Sequence, residues 1–217
     1  MPDIFDEVSE DLRAERAQLL LKRYAPLLIA AVVVVIAAAG GWEAWRWRQA
    51  KEDMAAGQHY LTAMTLQSLR PAAGDSKALI AQYAAIARNS PEGYRTLARL
   101  QAAALDAQSG DQPAALALWN AVATDESADP LLRDLANLLW CQHQIDNADP
   151  GLLAGRLKAL AEPGNPWRPL AEEQLAMLDL RQGKTATAKT ALTRLSQDIT
   201  APDGVRKRAA ALLAQLG

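Results

Sequence analysis

Thiol and imidazole chemistry are nearly missing from this chain. One cysteine, Cys141, and two histidines, His59 and His143, are spread over 217 residues. A single thiol excludes an intramolecular disulfide and a thiolate metal cluster. Cys141 and His143 are two positions apart, which on a helix turns them about 200° away from each other. They are not expected to form a nucleophilic pair, and Cys141 reads as a small buried residue. The Walker loop, GxSxG, HExxH and clustered metal ligands are all absent from the sequence. The acid pairs Glu172-Glu173 and Asp125-Glu126 read as loop or solvated positions. The expectation is a non-enzyme with no catalytic, cofactor-binding or metal-binding residues, no cofactor and no small-molecule substrate.

Aromatic residues are scarce, at 5% with a single Phe, and excess charge of either sign is missing. The net charge is −2; residues 1–24 hold six acids against four bases, and the stretch from residue 43 onward is balanced. No basic surface points to nucleic acid. The densest basic run, Arg206-Lys207-Arg208, reads as a solvated face of the last helix. Alanine and leucine carry the apolar character, while β-branched residues concentrate at Val32 to Ile36. That stock favours helix over sheet and predicts an all-α fold.

The one long apolar run is "APLLIAAVVVVIAAAGGW", Ala25 to Trp42, without a charge. As a helix it covers about 27 Å, against about 30 Å for the hydrocarbon core of a bilayer. Its Leu, Ile and Val residues contribute about −2.5 to −5 kcal/mol on an insertion scale. Pro26 is expected in the first turn of the span, where its missing N–H costs little. Small residues at 37–39 resemble a cleavage site, and cleavage after Ala39 would release a secreted binding domain. Against this, the segment ahead of the run is long and net acidic.

Beyond the run, "GWEAWRWRQ" puts Trp42, Trp45 and Trp47 beside Arg46 and Arg48. Indole rings favour the headgroup layer, and arginine can snorkel. These five residues are expected to form the membrane-interface collar of a retained helix contacting the lipid bilayer. The organisation read from this is 1–24 as a short cytoplasmic segment, 25–47 as the transmembrane helix with its collar, and 48–217 as a repeat domain. Arg13, Arg16, Lys22 and Arg23 on the N side against Arg46, Arg48 and Lys51 on the C side give a weak positive-inside bias. It places the N-terminus in the cytoplasm and the large domain outside.

Helices are expected near 50–69, 76–88, 91–109, 112–123, 130–144, 150–161, 166–182, 184–196 and 203–216. Ser90-Pro91, Asp129-Pro130, Asp149-Pro150 and Asn165-Pro166 each offer an N-cap ahead of proline. Gly110 and Gly183 suit helix C-termini. Core stripes run through Leu79, Ile80, Tyr83 and Ile86; Tyr94, Leu97, Ala98 and Leu105; and Leu131, Leu132, Leu135, Leu138 and Leu139.

A shift of 73 residues lays "YRTLARLQAAALDAQSGDQPAALALW" on "WRPLAEEQLAMLDLRQGKTATAKTAL". Arg95/Arg168, Leu97/Leu170, Ala98/Ala171, Gln101/Gln174, Leu105/Leu178, Asp106/Asp179, Gly110/Gly183 and Ala115/Ala188 are among the identical pairs. The shift is about twice the 34-residue tetratricopeptide period. A single N-terminal transmembrane helix followed by a tetratricopeptide-like solenoid of helical hairpins is predicted, each hairpin burying its apolar face on its neighbours.

The acidic start "DIFDEVSEDLRAER", the span, the exit "GWEAWRWRQ", "AAGQHYLTAMTL" and the hairpins together resemble the YfgM-like family of bacterial inner-membrane proteins, ancillary subunits of the SecYEG translocon. The resemblance implies a single-pass inner-membrane protein with a periplasmic repeat domain. Its implied partners are the SecYEG translocon and periplasmic chaperones and foldases such as PpiD, in support of newly exported proteins. It carries over no catalytic residues and assigns no protein-binding residues. The alternative on the same fold is a scaffold of another envelope assembly, for cytochrome maturation or cell division.

Overall fold

The computed structural model describes the backbone of residues 4–69 and 76–217, with the side chains of residues 27, 29–69 and 77–217. Among these residues every regular element is a helix: α1 (Ile4–Leu69), α2 (Ser76–Asn89), α3 (Glu92–Gln108), α4 (Gln112–Ala123), α5 (Pro130–His143), α6 (Pro150–Leu160), α7 (Arg168–Arg181), α8 (Thr185–Gln197) and α9 (Asp203–Leu216). The expected boundaries from residue 76 onward hold to within two residues. The helix expected at 50–69 is the end of one 66-residue helix, α1, that starts at Ile4. Pro26 therefore lies inside a helix and not in a first turn, where its missing N–H removes one bond of the ladder. The N-side basic residues counted for orientation, Arg13, Arg16, Lys22 and Arg23, have side chains outside the described residues.

Two compact units divide the chain, Met1–Glu52 and Asp53–Gly217. The first is helical from Ile4. The second is a chain of four small cores. The first core joins Tyr60 and Ala63 of α1 to Leu79, Tyr83 and Ile86 of α2 and Ala98, Ala102 and Leu105 of α3. The next joins Leu100 and Ala103 of α3 to Trp119 and Val122 of α4 and Ala136 of α5. The third joins Leu138 and Cys141 of α5 to Leu153, Leu157 and Leu160 of α6 and Ala171 and Leu178 of α7. The last joins Ala176 of α7 to Leu192 and Leu195 of α8 and Val205 and Ala209 of α9.

Helices α3, α5 and α7 each bury residues in two cores, α6 and α8 serve one, and α4 serves one and touches a second through half-buried Leu118. No hairpin closes a core alone, which is the stacking logic of a solenoid. Each fully buried leucine contributes about 1.5–3 kcal/mol, and only the next hairpin makes that burial possible. Within the stripes read from sequence, Leu131 is a correction: it is 49% exposed and joins none of these cores.

Capping was half right. Asp129 accepts from the Leu131 amide at 2.8 Å and Asp149 from the Leu152 amide at 2.9 Å. Ser90 does not cap: it is buried, and α3 starts from Pro91 without a side-chain bond. Asn165 accepts from the Trp167 amide at 2.9 Å, but its own amide donates to Asp134 of α5, and α7 begins only at Arg168. The turn is tied to a neighbouring helix and so continues two residues further. Asp111, not foreseen as a cap, accepts from Ala114 at 3.2 Å.

The glycine stops hold. Gly110 and Gly183 have φ of +88° and +74°, a region where a Cβ is strained. Around Gly110 the Asp111 amide bonds the Asp106 carbonyl at 2.8 Å and the Gly110 amide bonds Ala107 at 3.2 Å. Around Gly183 the Lys184 amide bonds Asp179 at 2.8 Å and the Gly183 amide bonds Leu180 at 3.0 Å. These are two Schellman closures at equivalent repeat positions.

Candidate membrane anchor and interaction surface

The apolar run keeps its side chains on the outside. Val32 to Ile36 are 56–66% exposed, and Leu27 and Ile29 are equally open. By length and composition, one helical stretch within Ile29–Leu69 is long and apolar enough to cross a membrane. Leucines of the repeat unit behave oppositely: Leu153, Leu157 and Leu192 are fully buried. A continuous exposed apolar sleeve marks a membrane or protein contact.

The five residues expected to form a collar lie on this same helix. Trp42, Trp45 and Trp47 are 62%, 55% and 65% exposed. At about 100° per residue Trp42 and Trp45 share one side of the helix, Trp47 points well away from both, and Arg46 and Arg48 fill the remaining directions. Trp42 and Trp45 lie 5.3 Å apart between centroids, Lys51 sits 5.3 Å over Trp47, and Arg46 reaches Glu43 at 3.9 Å. The arrangement surrounds the helix and leaves no single face.

In the repeat unit the expected thiol–imidazole separation is found. Cys141 is fully buried, and burial pushes its thiol up to about 11 against the opposing charge of Arg156. His143 instead stacks on Trp119 at 4.5 Å, with the Gln112 amide 3.3 Å from its Nδ1. Burial holds its imidazole below the ordinary value. His59 is exposed on α1. Among the described residues no group of three or more His, Cys, Asp or Glu converges on one point.

Glu172 and Glu173 depart from the expected solvated placement, whereas Asp125 lies in a loop as expected and Lys207 and Arg208 are exposed. Glu173 is 4% exposed and accepts from Arg208 Nε and a terminal guanidinium nitrogen, both at 2.6 Å. Glu172 bridges Arg168 at 2.9 Å and Arg194 at 3.2 Å. Asp125 pairs with Arg99 at 2.8 Å, and Arg206 pairs with Asp203. The basic run of α9 is therefore partly a clamp onto α7. The missed sign was the spacing of about one repeat between Glu173 and Arg208, which places them on adjacent hairpins.

That spacing recurs in other polar links between hairpins. Trp167 Nε1 donates to the Leu131 carbonyl at 3.0 Å, and Arg181 donates to the Ile145 and Ala148 carbonyls at 2.8 Å. Arg156 of α6 donates to Asn137 of α5 at 3.2 Å and to Asn120 of α4 at 3.0 Å, while stacking 4.1 Å over Trp140.

The family described as a tetratricopeptide repeat-like domain matches residues 20–202. The match begins ahead of the apolar run, takes in α2 to α8 and stops just before α9. No curated protein and no solved structure matches the chain. With its linked hairpin cores, its paired Schellman closures and a family match over most of its length, the chain belongs to the tetratricopeptide repeat-like domain family.

Proposed function

We propose that this protein is a membrane-anchored protein-interaction scaffold of the YfgM-like kind, held in the bacterial inner membrane by residues 25–47 with its N-terminus cytoplasmic. Residues 48–217 then work in the periplasm beside the SecYEG translocon and periplasmic chaperones or foldases, assisting newly exported proteins. Domains of this family are generally protein-interaction modules, and stacked hairpins offer a long surface without needing catalytic groups.

The observation that carries this reading is the contrast in burial. The hairpins hide their leucines, while Val32 to Ile36 stay open inside a match that includes both. A cleaved leader would not be expected inside the family's own domain. Trp42, Trp45, Arg46, Trp47 and Arg48 then sit at the outer headgroup layer. A tether also suits a weak binder, because a short linker raises local concentration to the mM range.

The test is affinity purification of the full-length protein from its own membranes in mild detergent, with an unrelated single-span protein as control. Enrichment of translocon subunits and periplasmic chaperones supports the reading. A cytoplasmic result from a topology reporter fused after Gly217, or enrichment of another envelope complex without the translocon, overturns it.

A further inference from the structure

We propose that Arg133 and Arg156, walled by Trp140, form a docking point for the carboxylates of an acidic polypeptide segment. The inference rests on the scaffold reading above and names the chemistry of a partner.

Several arginines elsewhere in the repeat unit find carboxylates, while half-buried Arg95 meets none among the described residues. Arg99 has Asp125, Arg168 has Glu172, and Arg208 closes on Glu173. Arg133 and Arg156 differ. Both are half-buried, and among the described residues neither lies within 4 Å of a carboxylate.

Arg156 is held in place by acceptors that are neutral. Asn137 and Asn120 each take one N–H, and the plane lies over the Trp140 ring. Amide oxygens carry no counter-charge, and the Trp140 face compensates the guanidinium only in part. A guanidinium has five donors, and two are spoken for here.

Arg133 supplies an independent observation. Its Nε is buried without a hydrogen-bond partner. Arg133, Asn137 and Trp140 are four and three residues apart, so they line one face of α5. Asn137 is the residue to which Arg156 donates. Two cations with spare donors thus share a stripe with an indole, across α5 and α6.

A partly desolvated charge without a counter-ion is costly, and a charge-assisted fork to a carboxylate removes that cost. The indole wall suits the apolar stems of glutamate side chains.

The experiment measures binding of a fluorescein-labelled octaglutamate peptide to the full-length protein in mild detergent, with octalysine and a Gly-Ser peptide as controls. Wild type is expected to bind octaglutamate alone, more weakly as salt rises. Arg133→Gln, which breaks none of the hydrogen bonds above, should weaken binding about tenfold, the loss of one charge-assisted contact. Arg156→Lys keeps the charge and loses the fork, and should weaken it comparably. Circular dichroism of both variants should match wild type.

The inference is overturned if wild type does not bind octaglutamate, or if both variants bind like wild type. It is equally overturned if sodium phosphate at constant ionic strength displaces the peptide at low concentration, which marks a phosphate site. Translocon recovery by affinity purification without octaglutamate binding removes this inference alone and leaves the scaffold reading standing.

Discussion

A thiol cut off from water is a poor nucleophile, because the thiolate is the reactive form and burial disfavours it. Cys141, pushed up to about 11 and fully buried, should resist iodoacetamide in the native protein at pH 8 and react promptly in denaturant. Fast native labelling, followed by mass, would contradict that environment. Glu173 makes a second prediction at this scale. Glu173→Ala removes both 2.6 Å bonds from Arg208 and should destabilise the repeat unit by about 2–3 kcal/mol in urea unfolding. The cost stays below that of a fully buried pair because Arg208 is half exposed and can turn to water. The sequence displayed both residues but not their meeting. From sequence Glu173 reads as a loop or solvated position, and the seating of α9 on α7 buries it.

Helix ends repeat more faithfully than helix faces. Gly110 and Gly183 close α3 and α7 in the same geometry, and alanine at a positive φ is strained. Gly110→Ala and Gly183→Ala should each lose about 1 kcal/mol in urea unfolding, nearly additively because the sites are remote. The repeat also extends beyond the identities visible in the aligned strings. Asp125 accepts from Ser127 Oγ at 2.6 Å and from its amide at 3.2 Å; Asp198 accepts from Thr200 Oγ1 at 2.6 Å and from its amide at 2.8 Å. The two turns are 73 residues apart, and Ala128 and Ala201 are buried behind them. Asp125/Asp198 and Ala128/Ala201 are identical under the same shift but lie beyond the aligned strings, which end at Trp119 and Leu192.

Hydrogen bonds, from Ser127 and from Thr200, hold both carboxyls below the ordinary 3.8. A depressed folded-state value means their contribution to stability is present above the ordinary carboxylate range and lost as pH falls through the folded-state value. Wild type should therefore show a falling urea midpoint below about pH 4, and Asp125→Asn with Asp198→Asn should flatten part of that fall. An unchanged slope in the double variant would show that the two turns do not contribute to it.

At the scale of the molecule, an exposed apolar sleeve and a domain with buried leucines occupy one chain. The collar reading predicts that Trp42→Ala, Trp45→Ala and Trp47→Ala together raise the fraction extracted by alkaline carbonate while helicity and urea midpoint of the repeat unit stay put. Unchanged extraction together with lost helicity would turn the three indoles into fold residues, against their open placement on α1.

What the sequence determined by itself was whatever depends on local pattern. Proline and aspartate pairs marked α5 and α6, glycine stops marked α3 and α7, the uncharged run marked the apolar stretch, and the 73-residue shift marked the hairpin repeat. Those features are written in backbone preference and periodicity, which neighbours in sequence dictate. The tertiary structure decided what depends on which hairpin lies beside which. It ran α1 unbroken through Pro26, left Leu131 open, turned Asn165 from a cap into a tie to Asp134, and buried Glu173 under Arg208. The same stacking set Arg156 across three helices without an acid to meet it. Side chains about 36 residues apart become neighbours only when hairpins stack, and no local window of sequence contains both partners.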